Sequence, residues 1–205
     1  MRFVPFGDAA WRARLDGPLE VARRKELLHA LRGAAGVADV VVSEEHVLVV
    51  PAEPDAFVIE RIGDVVARVL GTPLPAATAT REHLVAVRYD GEDLESIARA
   101  TRLAVDDIVR LHGAAVYEVA AVGFLPGFAY LRGLDGALVL PRRATPRPRV
   151  VPGSVAIAGP YSAIYPFASP GGWHLLGVAV GFSSFTVEAG ATLALGDRVR
   201  FEVAA

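Results

Sequence analysis

The stretch GFLPGFAYL, residues 123–131, opens a longer segment, residues 123–177, that decides how the second half of this chain folds. The segment continues with PRRATPRPR at residues 141–149, PGSVAIAG at residues 152–159 and IYPFASPGGWH at residues 164–174. Eight of the 14 prolines and eight of the 20 glycines lie between residues 123 and 172. Regular helix is excluded, because proline removes a backbone donor and glycine loses much backbone entropy on ordering. Its many aromatic side chains favour burial, so we expect ordered loops that shape a surface site on a β scaffold.

The composition is that of a folded chain with a sizeable core. The chain has 205 residues, of which 53% are hydrophobic, and a formal net charge of −2. This length suits one large or two small domains, and the charge gives no general attraction to nucleic acid or anionic lipid. No cysteine is present, which excludes disulfides and thiolate chemistry and is typical of a reducing compartment. We find no signal peptide and no bilayer-spanning apolar run, and therefore expect a cytoplasmic protein without a membrane partner.

The first half of the chain alternates between strand and helix patterns. The sequence predicts a strand around the Gly7-Asp8 turn, a helix starting at residues 16–18, a β-hairpin of residues 37–42 and 47–50, and an amphipathic helix over residues 55–71. This order resembles part of a split βαβ module, so we expect a small α/β domain over residues 1–80. The Pro/Ala/Thr segment of residues 73–80 is the predicted linker.

The second half, residues 81–205, is predicted to be mainly β. After a strand at residues 83–89 and two short helices at 92–100 and 105–112, further strands are predicted at residues 115–122, 137–140, 155–158, 175–180, 185–189 and 199–203. Many short strands at close spacing favour a closed or rolled β-barrel. The fold class predicted for the whole chain is therefore α+β.

The two short helices resemble a helix-turn-helix motif or the paired helices of small carbohydrate-binding repeats. A DNA-reading second helix presents Arg, Lys, Asn or Gln to the groove, whereas this one begins with Asp106-Asp107, which would repel phosphates. We therefore predict a helical insertion rather than a nucleic-acid site. His112 closes the second helix, where a cationic ring would suit the helix dipole. The side chains expected to pack inward are Leu94, Ile97, Ile108 and Val109.

Common catalytic and phosphate-binding motifs are missing from the sequence. It contains no G-x-x-x-x-G-K-[ST], no G-x-G-x-x-G and no G-x-S-x-G, so a conventional nucleotide fold and a serine-hydrolase elbow are not supported. It also contains no H-x-x-x-H or H-x-H pair, and its histidines are scattered, so we predict no metal site.

The candidate site residues all come from residues 123–177, which we call the central segment. Arg142, Arg143 and Arg147 lie among prolines that limit backbone freedom, and their guanidinium groups either bind a carboxylate or phosphate or form a solvated basic loop. His174 is either a proton carrier or a hydrogen-bonded structural residue. We expect Trp173 to be a core or interface residue. The aromatic side chains expected to shape a pocket, or else the core, are Phe124, Phe128, Tyr130 and Tyr165.

The sequence blocks of residues 123–177 resemble the signature blocks of the allophanate hydrolase subunit 1 family. YDGEDL at residues 89–94 and LGDRVRF at residues 195–201 agree as well, so the resemblance covers nearly the whole chain. It implies a small N-terminal α/β domain followed by a cyclophilin-like β-barrel. The sequence departs from the family where Val178-Ala179 replace an Arg-Thr pair, which puts ligand contacts there in doubt, and where Thr101-Arg102-Leu103 replaces Thr-Gly-Leu.

The resemblance also implies function within a complex. The first expectation is a subunit of an ATP-dependent 5-oxoprolinase that cleaves 5-oxo-L-proline to L-glutamate, with an A-like subunit and a C-like subunit of the allophanate hydrolase subunit 2 type. ATP, with Mg²⁺, would be bound at the level of the complex. In that role Arg142, Arg143 and Arg147 would contact an anion and His174 would carry a proton. The alternatives are a carboxyltransferase component of a biotin-dependent urea or amide carboxylase, a KipI-like histidine-kinase inhibitor, and an interaction subunit without catalytic groups.

Overall fold

Valine-rich strands and two helices build the first of two units into which the chain divides, Met1–Ala79 and Thr80–Ala205. The computed structural model describes residues 1–53, 56–74 and 80–204. The first unit contains β1 (Phe3–Phe6), β2 (Ala10–Arg14), α1 (Val21–Arg32), β3 (Val37–Val42), β4 (His46–Pro51) and α2 (Ala56–Gly71). Its strands form an antiparallel sheet in the order β1-β2-β4-β3. Apolar side chains of both helices pack against those of the sheet; they include Leu27 and Leu31 of α1 and Ile62 and Val66 of α2, which share one core with Val47 and Val49 of β4.

The structure confirms the predicted hairpin, which is β3 and β4, and the predicted second helix, which is α2. The single strand expected near Gly7 is two strands joined by a turn. The first helix begins at Val21 rather than at residues 16–18, because the backbone at Glu20 is still extended, with a ψ of 152°. Most of the predicted linker, residues 75–79, lies outside the described residues.

The second unit is built around a closed barrel with the strand order β10-β7-β6-β15-β5-β12-β9. Its elements are β5 (Glu82–Arg88), α3 (Leu94–Thr101), α4 (Val105–Ala114), β6 (Val116–Val122), β7 (Ala129–Arg132), a 3₁₀ turn (Gly136–Leu138), β8 (Arg147–Val150), β9 (Ser154–Ala158), β10 (Tyr161–Ile164), β11 (Ser169–Gly171), β12 (His174–Val180), β13 (Phe185–Thr186), β14 (Gly190–Ala191) and β15 (Arg198–Val203). The last strand, β15, inserts between β5 and β6, parallel to the first and antiparallel to the second. The α+β class and the barrel predicted from the sequence are therefore confirmed.

The central segment contributes more strands than the sequence predicted. Four barrel strands, β7, β9, β10 and β12, lie in it or begin in it, and β8 and β11 pair beside the barrel. The strand predicted at residues 137–140 is wrong, because the Asp135 side chain accepts a hydrogen bond from the Ala137 N–H and caps a 3₁₀ turn there. The strand predicted at residues 185–189 shortens to β13, which pairs with β14, and Val187 at the turn between them is 89% exposed.

Helices α3 and α4 pack against the outside of the barrel. Leu94, Ile97 and Ile108 are buried as predicted, together with Ile157 of β9 and Leu176 of β12, whereas Val109 is only half-buried. Among the described residues, none of the helices combines the length and the apolar character needed to cross a bilayer.

His112, near the end of α4, is a buried hydrogen-bonding centre and not the cationic helix end predicted from the sequence. The Tyr89 hydroxyl lies 2.8 Å from its Nδ1, the Ser162 hydroxyl lies 2.9 Å from its Nε2, and the Phe201 ring stacks on it at 4.6 Å. Since Ser162 donates to the Ala156 carbonyl, the consistent arrangement is a neutral imidazole with its proton on Nε2. Burial lowers the pKa of His112 to about 3, because the charged ring would be desolvated there.

Arg102, at the end of α3, has left-handed backbone angles, φ 60° and ψ 31°. The conformation ends the helix in the way that glycine usually does, but an L-residue with a Cβ is strained there. Glycine, which the resemblance implied at this position, would adopt these angles without that strain.

We expect Arg102→Gly to stabilise the second unit by roughly 0.5–1 kcal/mol, because it removes the Cβ strain at the cost of some unfolded-state entropy. Urea unfolding followed by Trp173 fluorescence measures this in a Trp11→Phe background, since the chain has only these two tryptophans. The matched control is Arg99→Gly, on the exposed face of α3, which is expected to destabilise by about 1 kcal/mol. Destabilisation by both substitutions would contradict the assignment of strain to Arg102.

We expect the second unit to lose stability as the pH falls below 6.5. Between pH 6.5 and 3 the unfolded chain binds a proton at His112 that the folded chain does not, so unfolding becomes easier by up to about 1.4 kcal/mol per pH unit. The same fluorescence measurement between pH 6.5 and 4.5 should give a shallower slope in His112→Gln, which removes the titrating group. Equal slopes in the two proteins would show that His112 is not responsible.

Candidate functional site

Loops from the central segment converge on one aromatic cavity of about 210 Å³. The turn after β6, the start of β7, the loop before β8 and the segment from β10 to β12 each contribute to its wall. The lining residues are Phe124, Tyr130, Arg142, Pro146, Tyr165, Pro170, Gly171, Gly172 and Trp173. Six of them are aromatic residues or prolines, so the wall is largely apolar.

The floor under this cavity is a cluster of aromatic rings centred on Phe128. Its ring meets those of Phe124, Tyr130, Tyr165 and Trp173 edge to face, with centroid distances of 5.1 to 5.6 Å. Such contacts fix ring orientations beyond what burial alone achieves. Phe128 itself is 1% exposed, so it supports the cavity from below and does not line it. Trp173 is buried as expected and also forms part of the wall.

Phe124 stands at the edge of the cavity on a tight, strained turn. It is 62% exposed and has a φ of 77°, which is uncommon for any residue other than glycine. The turn is closed by hydrogen bonds from the Gly123 N–H to the Phe128 carbonyl and from the Phe128 N–H to the Leu125 carbonyl. Gly127 packs directly against the Ser184 backbone, where a Cβ would not fit. Phe124 also lines a second cavity, of about 380 Å³, together with the rest of this turn.

Arg142 is the one charged side chain among the cavity-lining residues that the structure describes. It is exposed and has no ion-pair partner within the described part of the chain. Tyr165 is the buried polar group beside it. Burial raises the pKa of the Tyr165 phenol, although the charge of Arg142 acts in the opposite direction, so the hydroxyl is neutral near pH 7. The cavity therefore offers one free cation within an otherwise neutral wall.

Arg143 and Arg147 are not among the residues that line the cavity, and both hold the buried carboxylate of Asp93. Their Nη1 and Nη2 groups, respectively, each donate to Asp93 Oδ1 at 2.7 Å, and the Leu175 N–H donates to Oδ2 at 2.7 Å. Arg147 also meets Glu92 through its Nε at 2.6 Å. Asp93 is 2% exposed. Two of the three arginines predicted to bind an anionic ligand are thus already paired with carboxylates of this chain.

The arrangement keeps Asp93 ionised. Burial alone would raise the pKa of this carboxyl group, but hydrogen bonds from Arg147 and the Leu175 N–H, together with the charges of both arginines, outweigh it and lower the pKa. A buried ion pair adds little net stability over an apolar substitute, but removing one partner leaves an uncompensated charge. The position of residues 141–147, which we call the arginine loop, therefore depends on the ion pairs with Asp93.

His174 lies next to the cavity wall but does not line it. Its Nε2 is 3.0 Å from the carbonyl oxygen of Pro141, which can only accept, so Nε2 carries the proton and donates. Its Nδ1 is buried and has no hydrogen-bond partner in the described part of the chain. In this geometry His174 holds the residue that precedes Arg142, and its role as a proton carrier stays a prediction.

Asp93 is a site residue that the sequence did not predict. One signal was available, since the segment of residues 123–177 contains a single acidic residue, Asp135, against its many arginines. Two of those arginines, Arg143 and Arg147, pair with carboxylates outside the segment, in the Glu92-Asp93 pair that precedes it. Within the described ranges, no three His, Asp or Glu side chains come together so that they could hold a metal ion.

We expect Asp93→Asn to destabilise the second unit by about 3–5 kcal/mol, because it leaves two guanidinium groups beside a neutral buried amide. The matched control is Asp107→Asn on α4, where an exposed pair with Arg110 at 3.0 Å predicts a loss below about 1 kcal/mol. Urea unfolding followed by Trp173 fluorescence measures both. Equal losses in the two variants would rule out the anchoring role.

Two curated relatives are similar in sequence, and both are the B subunit of a 5-oxoprolinase. The chain is 33% identical to the protein from Haemophilus influenzae over 189 residues, which cover 86% of this chain and 85% of that protein. It is 40% identical to the protein from Bacillus subtilis over 96 residues, which cover 45% of this chain and 40% of that protein.

Solved structures share the fold. TTHA0988 is 36% identical with a TM-score of 0.79, and the match covers 96% of this chain but only 40% of that one. The urea amidolyase of K. lactis, at 15% identity, a TM-score of 0.77 and coverage of 99% of this chain and 15% of that one, shares the fold alone. The family described as "Carboxyltransferase domain, subdomain C and D" matches residues 1–188. With about nine-tenths of its length matched, this chain belongs to the carboxyltransferase domain, subdomain C and D, family.

Proposed function

We propose that this chain is a subunit of an ATP-dependent complex that opens 5-oxo-L-proline to L-glutamate. The observation that carries the proposal is the 33% identity to the B subunit of a 5-oxoprolinase over 86% of this chain. That match spans both units, so it includes the loops that form the aromatic cavity. The cytoplasm, expected from the absence of cysteine, is the proposed location.

The chemistry of the reaction suits a complex better than this chain alone. Opening the lactam adds one water across its C–N bond, and ATP hydrolysis consumes a second. An acyl transfer of this kind needs stabilisation of charge on the amide oxygen, and phosphoryl transfer needs several cationic groups around the phosphate. Among the described residues, only Arg142 places an unpaired cation at the cavity, because Arg143 and Arg147 are paired with Asp93. We therefore assign ATP and Mg²⁺ binding to a partner protein in the complex.

The partners in this proposal are an A-like subunit and a C-like subunit of the allophanate hydrolase subunit 2 type. Both curated relatives are one lettered subunit of an enzyme, which supports the existence of further subunits. The match to TTHA0988 covers only 40% of that chain, so the module is part of a longer chain there. A second function, carboxyl transfer within a biotin-dependent carboxylase, is favoured by the description of the family.

Reconstitution separates the two functions. We would express this chain with its A-like and C-like neighbours, purify what associates, and measure ATP hydrolysis that depends on 5-oxo-L-proline together with glutamate release. The expected result is coupled turnover that disappears when this chain is omitted. The control is the same mixture with a folded Arg149→Gln variant, which changes an exposed arginine outside the cavity and should retain full activity.

Two results would overturn the proposal. Stable association without turnover, combined with carboxylation of urea or a related amide from carboxybiotin, would assign the chain to a carboxyltransferase. If this chain associated with neither neighbour, it would not be a subunit of such a complex. Inhibition of a histidine kinase would then be the favoured alternative.

A further inference from the structure

We propose that the aromatic cavity beside Arg142 binds a small ring bearing a single carboxylate, and that it rejects nucleotide phosphates. The choice of 5-oxo-L-proline as the ring rests on the function proposed above. The cavity itself is argued from the charge, size and rigidity of its wall.

The charge of the cavity matches one negative group. Arg142 lines it without a carboxylate partner among the described residues, and no acidic side chain lines it there. Arg143 and Arg147 are neutralised by Asp93, and Arg147 also by Glu92. A guanidinium group binds a carboxylate through two parallel hydrogen bonds. A triphosphate would meet only one unpaired cation at this place, so its charge would be left largely uncompensated.

The size of the cavity matches a small ring. Its volume of about 210 Å³ lies below the roughly 300–1,000 Å³ of sites for drug-sized ligands. Two lining positions are glycines, and a side chain at Gly171 would run into the Tyr165 hydroxyl. Glycine at residue 171 therefore lets the backbone pack directly against Tyr165 in this part of the wall. The walls formed by Tyr130, Tyr165 and Trp173 present ring faces and edges to a compact, partly apolar ligand.

The backbone on each side of Arg142 is held in place. His174 Nε2 donates to the carbonyl oxygen of Pro141, and the Arg143 N–H donates to the carbonyl oxygen of Gly172 at 2.8 Å. The backbone is fixed while the Arg142 side chain stays free for a ligand. Preorganisation of this kind lowers the entropy that is lost on binding.

Phe124 provides the cover for the bound ring. The strained turn holds its side chain at the mouth of the cavity, where one edge-to-face contact with Phe128 leaves it 62% exposed. Strain at such a position persists only where the surrounding structure enforces it, and such positions cluster at binding sites. A ligand in the cavity would bury part of this exposed ring.

Isothermal titration calorimetry on the full chain tests the proposal without any partner protein. The probes are 5-oxo-L-proline, its uncharged amide 5-oxo-L-prolinamide, and ATP with Mg²⁺. We expect the acid to bind at millimolar or lower concentration, the amide to bind about tenfold more weakly because it lacks the charge-assisted hydrogen bonds, and ATP not to bind or compete.

Variants distinguish the two contacts. Arg142→Gln should weaken binding of the acid by about tenfold and leave the amide unchanged, because only the acid uses the charge. Phe124→Ala should weaken both ligands to a similar extent, since it covers the ring and not the carboxylate. The matched control, Arg149→Gln, should bind the acid like the wild-type chain. Circular dichroism and Trp173 fluorescence confirm that each variant is folded.

Three results would overturn the inference. They are wild-type affinity in Arg142→Gln, displacement of the acid by ATP, and no binding of the acid to the wild-type chain. None of these results depends on turnover. The inference about the cavity can therefore be contradicted even when reconstitution shows an oxoprolinase subunit. Conversely, binding of the acid by the isolated chain would support the proposed ring-carboxylate site even if reconstitution gave no turnover.

Discussion

The carboxylate of Asp93 is the interaction on which the candidate site depends. It joins the start of α3 to Arg143, to Arg147 at the start of β8 and to the backbone of β12, partners that follow Asp93 by 50 to 82 residues in the sequence. Because the carboxylate is buried, its two arginines cannot turn to solvent or to a ligand without leaving it uncompensated. The arginine loop is thereby fixed, and only the arginine that is not bound to Asp93 faces the cavity. One buried charge thus determines which of three neighbouring cations is available.

Much of the fold could be predicted because its elements are long enough to show a period. The hairpin of β3 and β4, the helix α2 and the strands β5 and β6 each repeat an apolar pattern over six or more residues. The missed strands are short, such as β8 with four residues and β11 with three. β9 is buried along its whole length, so its apolar run could be recognised as a strand. The run at residues 137–140 is also apolar, but there Leu138 belongs to the core as part of a 3₁₀ turn, so the prediction of a strand was wrong.

The candidate site could be predicted in its residue types but not in its pairings. Aromatic and arginine side chains of the central segment do form a cavity, because turns rich in proline and glycine expose them there. The attachment of Arg143 and Arg147 to Asp93 is a contact between distant parts of the chain, and local patterns carry no information about it. The same holds for His112, whose place at a helix end predicted a cationic ring, whereas Tyr117, Ser162 and Phe201 of the barrel strands enclose it as a neutral one.

The insertion of β15 between β5 and β6 makes closure of the barrel a late event in folding. Arg198 pairs with Glu82, so the chain must bring together segments that are more than a hundred residues apart before the barrel is complete. Contacts of this separation form slowly, because the entropy of closing the loop is lost before they stabilise anything. Until then β5 and β6 each expose an unpaired edge that can recruit a strand from another chain. The barrel is therefore exposed to strand exchange and aggregation during synthesis, which favours low expression temperature or chaperone protection when the protein is produced.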